Sequence, residues 1–342
     1  MGRPGGETAV SGMLGQYDKA LIESRDQLRL DPNGDGYMDL LYCYVKLNRL
    51  TEAQSTFEEA EAKRFDSPSI RYFVYALRFL QNDAAGMSQQ VAWGTGKLGV
   101  EHEFLHLEAH TAAYSGRLGR ARDLSRQAVI SAKRAEEPEK AAEGEADAAL
   151  REALFGNAAE ARERAADALG LSNSWYVQSL AALALAFAGD AERARTLADD
   201  LANRFPDHTI VQFYDVPTIR ARLALSHDDP SGAIEILQAA VPYELSGDGA
   251  LYPAYVRGEA YLAAHKGKEA AADFQKIRDH PGIVVNSPIG ALAHLGLGRA
   301  YALQGDIPKA KAAYQDFFAL WKDADPDIPI LEQAKAEYAK LQ

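Results

Sequence analysis

Apolar residues recur along this chain every three or four positions, the spacing that places them on one face of an α-helix. The last such stretch puts Leu331, Ala334, Tyr338 and Leu341 on one face and charged residues on the other. No stretch alternates apolar and polar residues over the length of a β-strand. The pattern therefore predicts an all-α chain.

A small residue recurs at a much longer interval. It is alanine at eight positions, and Met87 fills the one gap in the series. The nine positions are Ala20, Ala53, Met87, Ala121, Ala161, Ala194, Ala233, Ala270 and Ala310. The intervals are 33, 34, 34, 40, 33, 39, 37 and 40 residues, which indicates an array of helical repeats. Each position falls in a predicted helix, and these helices span about 16–30, 50–64, 83–97, 117–134, 157–169, 190–204, 230–241, 267–279 and 306–322.

The residues around the recurring alanine resemble the tetratricopeptide repeat, whose pattern is W-x2-L-G-x2-Y, then A-x3-F, then P. One repeat has Leu297, Gly298, Tyr301, Ala310 and Tyr314, with His294 in place of the Trp. The repeat before it has Gly258, Tyr261, Ala270 and Phe274. The resemblance implies a right-handed α-solenoid of about nine helix pairs, with a C-terminal capping helix and an extended concave surface.

This register divides the chain into three parts. Residues 1–15 supply only a partial first helix, which predicts a truncation or linker inside a longer natural protein. Residues 16–326 form the solenoid. Residues 327–342 form the capping helix, which would cover the apolar face of the last repeat.

Composition narrows the class of partner. The chain has 342 residues and a formal net charge of −12, which argues against nucleic acid and anionic membranes as partners. It has no apolar run of about 18 residues and no signal peptide. Cys43 is the only cysteine, so a reducing cytoplasm is the expected location.

The sharpest chemical motif is His102-Glu103-Phe104-Leu105-His106, which has the H-E-x-x-H spacing of zinc proteases. His110 adds a third imidazole one helical turn later. The motif does not continue as a metzincin would, because Ala109 and Ala112 replace the expected Gly and His. A metal-dependent hydrolase using His102, Glu103 and His106 is therefore the alternative hypothesis, and no catalytic residue, metal or cofactor is the first expectation.

Two other motifs have simpler interpretations. The segment from Asp31 to Gly36 resembles the first half of a calcium-binding loop, but Tyr42 stands where the bidentate Glu is required. The segment from Gly94 to Gly99 reads G-x-G-x-x-G without a preceding strand, so it is interpreted as a helix end.

In tetratricopeptide folds the first helix of each pair lines the concave face. Applied to this register, the resemblance implies a protein or peptide ligand in that groove. The candidate contacts are Glu103, His106, His110, Tyr252, Tyr255, Glu259 and Arg299.

Three stretches, at 149–157, 291–297 and 318–329, resemble the C-terminal repeat region of bacterial eukaryotic-type serine/threonine protein kinases. Similar regions follow winged-helix regulators. The resemblance implies a non-catalytic scaffold that serves as the sensor or docking arm of a larger signalling protein. A purely architectural array that sets oligomer geometry is the third hypothesis.

Overall fold

The computed structural model describes residues 6–246 and 249–341, and within this part every regular element is a helix. Residues 1–5 of the predicted linker and Gln342 of the predicted cap lie outside the described residues. The predicted all-α solenoid is confirmed.

Helices alternate as the first and second members of antiparallel pairs. The first members are α1 (Gly6–Met13), α3 (Gly34–Lys46), α5 (Pro68–Leu80), α7 (Glu101–Tyr114), α9 (Pro138–Phe155), α11 (Trp175–Phe187), α13 (Val216–Ser226), α15 (Tyr252–Ala263) and α18 (Pro288–Leu303). The second members are α2 (Tyr17–Leu30), α4 (Leu50–Ala62), α6 (Ala84–Gly94), α8 (Leu118–Arg134), α10 (Ala158–Leu171), α12 (Ala191–Arg204), α14 (Pro230–Ile236), α16 (Gly267–Asp279) and α19 (Ile307–Leu320).

Three further pieces complete the chain. A π-helical turn, Val211–Asp215, leads into α13, and a 3₁₀ segment, Leu237–Tyr243, extends α14. The short helix α17 (Pro281–Val284) precedes α18, and α20 (Pro329–Ala339) follows the last pair.

The turn inside each pair contains one residue with a left-handed backbone. In the described residues these are Gly15, Asn48, Asn82, Gly116, Gly156, Gly189, Asp228, His265 and Gly305. Each lies five positions before a member of the recurring series, so one turn geometry repeats along the chain. This repetition is compatible with about nine helix pairs. Gly and Asn dominate these positions because they tolerate a positive φ.

The recurring alanine fills the space between packed helices. All eight alanines of the series are completely buried, whereas Met87 is partly exposed. The recurring glycines leave room for aromatic rings. A Cβ at Gly258 would lie 2.8 Å from the ring of Phe274, too close for any other residue without a shift. A Cβ at Gly298 would lie 2.7 Å from the ring of Tyr314. Gly258 and Gly298 therefore each lie against an aromatic ring of the second helix of their own pair.

We expect Ala310→Leu to lower the free energy of unfolding by about 1–3 kcal/mol, because a completely buried site has no room for the larger side chain. Ala312→Leu is the control, since Ala312 is exposed on the same helix, α19. Urea denaturation of both variants measures the difference. Equal stabilities would show that the recurring position does not limit helix spacing.

The array closes on itself, and this departs from the open concave surface that the repeat pattern implies. The indole Nε1 of Trp321 donates to the carbonyl of Tyr114 at 3.0 Å. The amide of Asp325 donates to the carbonyl of Gly116 at 3.0 Å. The Asp325 carboxylate accepts from the amide of Gly119 at 2.6 Å. The end of the ninth pair is thus fixed to the turn of the fourth.

Two more contacts join distant repeats. Asn286, just before α18, donates through Nδ2 to the carbonyl of Leu107 and to Oγ1 of Thr111, both at 3.0 Å. The hydroxyl of Tyr17 donates to the carbonyl of Leu245 at 2.7 Å. The first pair therefore contacts the segment before the eighth pair, and the fourth pair contacts the ninth, while one core cluster of the described residues runs from Tyr17 to Ala334.

A buried ionic network holds the segment that reaches the first repeat. Glu244 is completely buried and accepts from Arg257 and Lys276. The guanidinium of Arg257 also donates from Nε to Asp273 at 2.9 Å. Every charge of this network has an opposite partner, which a buried charge requires.

We expect Gly116→Ala to lower the thermal midpoint more than Gly189→Ala. Both glycines have a positive φ, 72° and 76°, so both substitutions carry the same backbone strain. A Cβ at Gly116 would lie 2.5 Å from Ala324 and 2.7 Å from Trp321, whereas nothing lies within 4 Å of a Cβ at Gly189. Gly116→Ala should lower the free energy of unfolding by about 1–3 kcal/mol more than Gly189→Ala does, and calorimetry measures the difference. Identical midpoints would contradict the closure contact.

Acid should destabilise the protein through His294, which is mostly buried on α18 with Nδ1 3.7 Å from Asp316. Burial lowers its pKa to about 4, and the charge of Arg278 adds to this effect while Asp316 opposes it. The folded state therefore binds fewer protons than the unfolded state, whose His pKa is about 6.5. Stability is complete above that value and is lost as the pH falls toward 4, by roughly 1.4 kcal/mol per pH unit.

The measurement is urea denaturation between pH 7 and pH 4. His294→Gln should show a shallower loss of stability across this range than the parent. His227→Gln, at an exposed His, serves as the control and should keep the parent slope. A parental slope in His294→Gln would exclude His294 as the acid-sensitive group.

Candidate binding surfaces

The seven predicted groove residues fall into two groups inside the closed array. Glu103, His106 and His110 lie on α7, where they are partly exposed. The other group, Tyr252, Tyr255, Glu259 and Arg299, lies on α15 and α18.

The second group already has partners within the chain. Arg299 binds Glu337 of α20 through two bonds, at 2.9 Å from Nε and 3.0 Å from Nη2. Tyr255 is buried, and its ring meets the edge of Phe274 at 5.9 Å between centroids. Burial raises the pKa of Glu259, against the opposing charges of Arg222 and Arg299. These residues contribute to the closure, and binding of a partner by them stays a prediction.

The α7 histidines meet a carboxylate from the next helix pair. Nε2 of His106 lies 3.0 Å from Oδ2 of Asp147 on α9 and 3.0 Å from Nε2 of His110. Nε2 of His110 lies 3.9 Å from Oδ1 of Asp147. Burial, with the nearby charge of His106, lowers the pKa of His110 to about 3. Burial alone would raise the pKa of Asp147, but His106, His110 and Arg151 hold it below its ordinary value.

The H-E-x-x-H pairing is not formed. His102 is buried with Nε2 3.5 Å from Glu137, so it does not join His106. Within residues 6–246 and 249–341, the donor set that could hold a metal is His106, His110 and Asp147. The i,i+4 spacing of His106 and His110 was visible in the sequence, but no local signal connects them to Asp147 about 40 residues later.

The two simpler interpretations fit the structure. Asn33 begins α3, its side chain accepting from the Gly36 amide at 2.9 Å, and Tyr42 lies within that helix. No calcium-type loop therefore exists there. The glycines from Gly94 to Gly99 form the turn between α6 and α7.

A groove that the sequence did not indicate opens between the third and fourth pairs. We call it the α6–α8 groove, and it encloses about 380 Å³. It is lined by Val91, Thr95, Glu101, Phe104, Leu105, Glu108, Arg120, Leu124, Gln127, Ile130, Ser131 and Arg134. An adjoining cleft of about 180 Å³ shares Val91, Glu108, Arg120 and Leu124 with it, and Met87 lines that cleft. Met87, the one residue of the recurring series that is not alanine, therefore lies at this opening.

The groove combines an apolar floor with a charged rim. Arg134 binds Glu101 at 2.7 Å, and Ser131 donates to the same carboxylate at 2.9 Å. Nη2 of Arg120 lies 3.9 Å from Glu108, beyond hydrogen-bond distance, and the Arg120 side chain is largely exposed. Its guanidinium can therefore take a second carboxylate.

Comparison with known proteins supports the fold. Human IFIT1, solved as a dimer with PPP-AAAA, has a TM-score of 0.54 and 16% identity, covering 98% of this chain and 79% of that chain. A tetratricopeptide repeat protein from Parabacteroides merdae has a TM-score of 0.43 and 18% identity, covering 72% of this chain and 93% of that chain. No family model and no curated relative matches the chain.

At these identities the likeness shows the fold alone, a tetratricopeptide-like helical array. Among the described helices, none combines the length and apolar character needed to cross a bilayer. The kind of partner has to be argued from the surface itself.

Proposed function

We propose that this chain is a non-catalytic scaffold that binds a segment of a partner protein in the α6–α8 groove. The observation that carries the proposal is an open groove lined by both apolar and charged side chains of α6, α7 and α8. Helical repeat arrays commonly act through extended surfaces rather than enclosed catalytic pockets.

The lining indicates the chemistry of the partner. Ile130 lines the groove and is 67% exposed. Burying this side chain against an apolar residue of the partner would contribute favourably to the free energy of binding. Arg120 offers a site for a carboxylate ten residues before Ile130 on α8, about 15 Å along the helix axis. The matching segment therefore carries an aliphatic or aromatic residue at one end and an acidic residue at the other.

Nucleic acid is not proposed as the ligand, although the IFIT1 structure contains PPP-AAAA. The arginines of the groove are accompanied by Glu101 and Glu108, and the whole chain carries −12. Phosphate backbones require an excess of positive charge. The hydrolase alternative is not favoured either, because His102 and His106 do not meet.

We propose further that the scaffold is the cytoplasmic sensor or docking arm of a larger bacterial signalling protein. The support is the likeness of residues 149–157, 291–297 and 318–329 to regions that follow kinase and winged-helix domains. Sequencing the natural gene upstream of the Met1 codon tests this. An open frame into such a domain supports it, and a stop codon directly upstream contradicts it.

We expect Ile130→Asp to weaken binding of the partner segment at least about tenfold, or about 1.4 kcal/mol, because it replaces an exposed apolar side chain of the groove lining with a charge. The partner is first identified by a photo-cross-linking residue at position 130, and its affinity is then measured by calorimetry. Ile22→Asp is the matched control, since Ile22 is 61% exposed on α2, outside the groove.

The control should keep the parental affinity, and circular dichroism should show both variants folded. If Ile130→Asp and Ile22→Asp bind the partner equally well, the α6–α8 groove is not the binding site.

A further inference from the structure

A second candidate site lies between α7 and α9, where three side chains bring atoms that can bind a metal within 4.8 Å of one another. We propose that His106, His110 and Asp147 bind one Zn²⁺ ion that links α7 to α9. Nothing in the partner-binding proposal requires this site, and each can fail without the other.

The donor spacing fits a zinc ion. The two imidazole Nε2 atoms are 3.0 Å apart, Nε2 of His106 lies 3.0 Å from Oδ2 of Asp147, and Nε2 of His110 lies 3.9 Å from Oδ1 of the same carboxylate. One ligand atom from each residue falls within 4.8 Å of the other two. Bonds of about 2.0–2.1 Å at tetrahedral angles place two ligands roughly 3.4 Å apart. Two imidazoles and one carboxylate are also a ligand set that zinc accepts, with the fourth position left for water. The triad therefore needs only small side-chain shifts to close around the ion.

One proton cannot serve all of these atoms at full strength. Nε2 of His106 lies 3.0 Å from both Oδ2 of Asp147 and Nε2 of His110, yet that nitrogen carries at most one proton. A proton on His106 has to be shared between the carboxylate and the lone pair of His110. If His110 donates to His106 instead, the Asp147 carboxylate faces a lone pair. A cation would accept a lone pair from each of the three side chains.

The surroundings restrict the ion without excluding it. The side chains of His106, His110 and Asp147 remain 25%, 19% and 14% exposed, so water can reach the open position. Arg151 lies one turn beyond Asp147 on α9 and opposes a cation. Its Nη1 donates to Ser125 of α8 at 3.1 Å, whereas its buried Nε and Nη2 have no hydrogen-bond partner, so the positive charge of Arg151 stays near the site and reduces its affinity for a cation.

The helix α7 connects this site to the α6–α8 groove. His106 and His110 project from one face of α7, while Leu105 and Glu108 of the same helix line the groove. An ion that fixes α7 against α9 therefore also fixes one wall of the groove.

The test is calorimetric titration of ZnCl₂ into the metal-stripped full chain, with any histidine tag removed. We expect one equivalent to bind. His110→Gln and Asp147→Asn should each lower the zinc affinity at least about tenfold, since even mutation of a residue that hydrogen-bonds to a zinc ligand lowers the affinity by that factor. His102→Gln is the matched control, because it alters the H-E-x-x-H motif but not the triad.

Thermal unfolding gives a second measurement. Zinc should raise the thermal midpoint of the parent and of His102→Gln, because an ion bound only by the folded state stabilises it, and should leave that of Asp147→Asn unchanged. The absence of a saturable single site overturns the proposal. So does a loss of binding in His102→Gln equal to that in His110→Gln. Circular dichroism confirms that each variant is folded before titration.

Discussion

The architecture depends on one set of hydrogen bonds between residues about 200 positions apart. Trp321 and Asp325 bond to the backbone of Tyr114, Gly116 and Gly119, so the last helix pair is fixed to the fourth. The groups on the fourth pair are backbone amides and carbonyls, which need a partner in the chain or in water. The contacts with Trp321 and Asp325 supply that partner from within the chain.

Where the array remains open, the cause lies in local packing. Complete burial of the recurring alanine lets neighbouring helices approach closely. Met87 occupies the same position with a larger side chain, and the α6–α8 groove and its adjoining cleft lie beside it. The one departure from alanine in the repeated series therefore lies at the cleft that adjoins the α6–α8 groove.

Much of the fold could be predicted from the sequence, because the signals that specify it are local. The recurring alanine located the second helix of each pair to within a few residues, and the left-handed turn five positions earlier follows the same register. The site could be predicted only in part. His106 and His110 are one turn apart and visible as a pair, but Asp147 joins them through the packing of α9 on α7. The burial of Tyr255 likewise depends on packing against residues of other helices such as Phe274, which no short-range pattern encodes.

An open repeat array can gain or lose a unit and remain stable, because each unit contacts only its neighbours. Here the bonds of Trp321 and Asp325 require that five successive pairs return the chain to the turn at Gly116. Deleting or duplicating one unit between them would rotate the end of the chain away from that turn. A change in the number of units between the fourth and ninth pairs would therefore break these bonds, whereas an open array tolerates it.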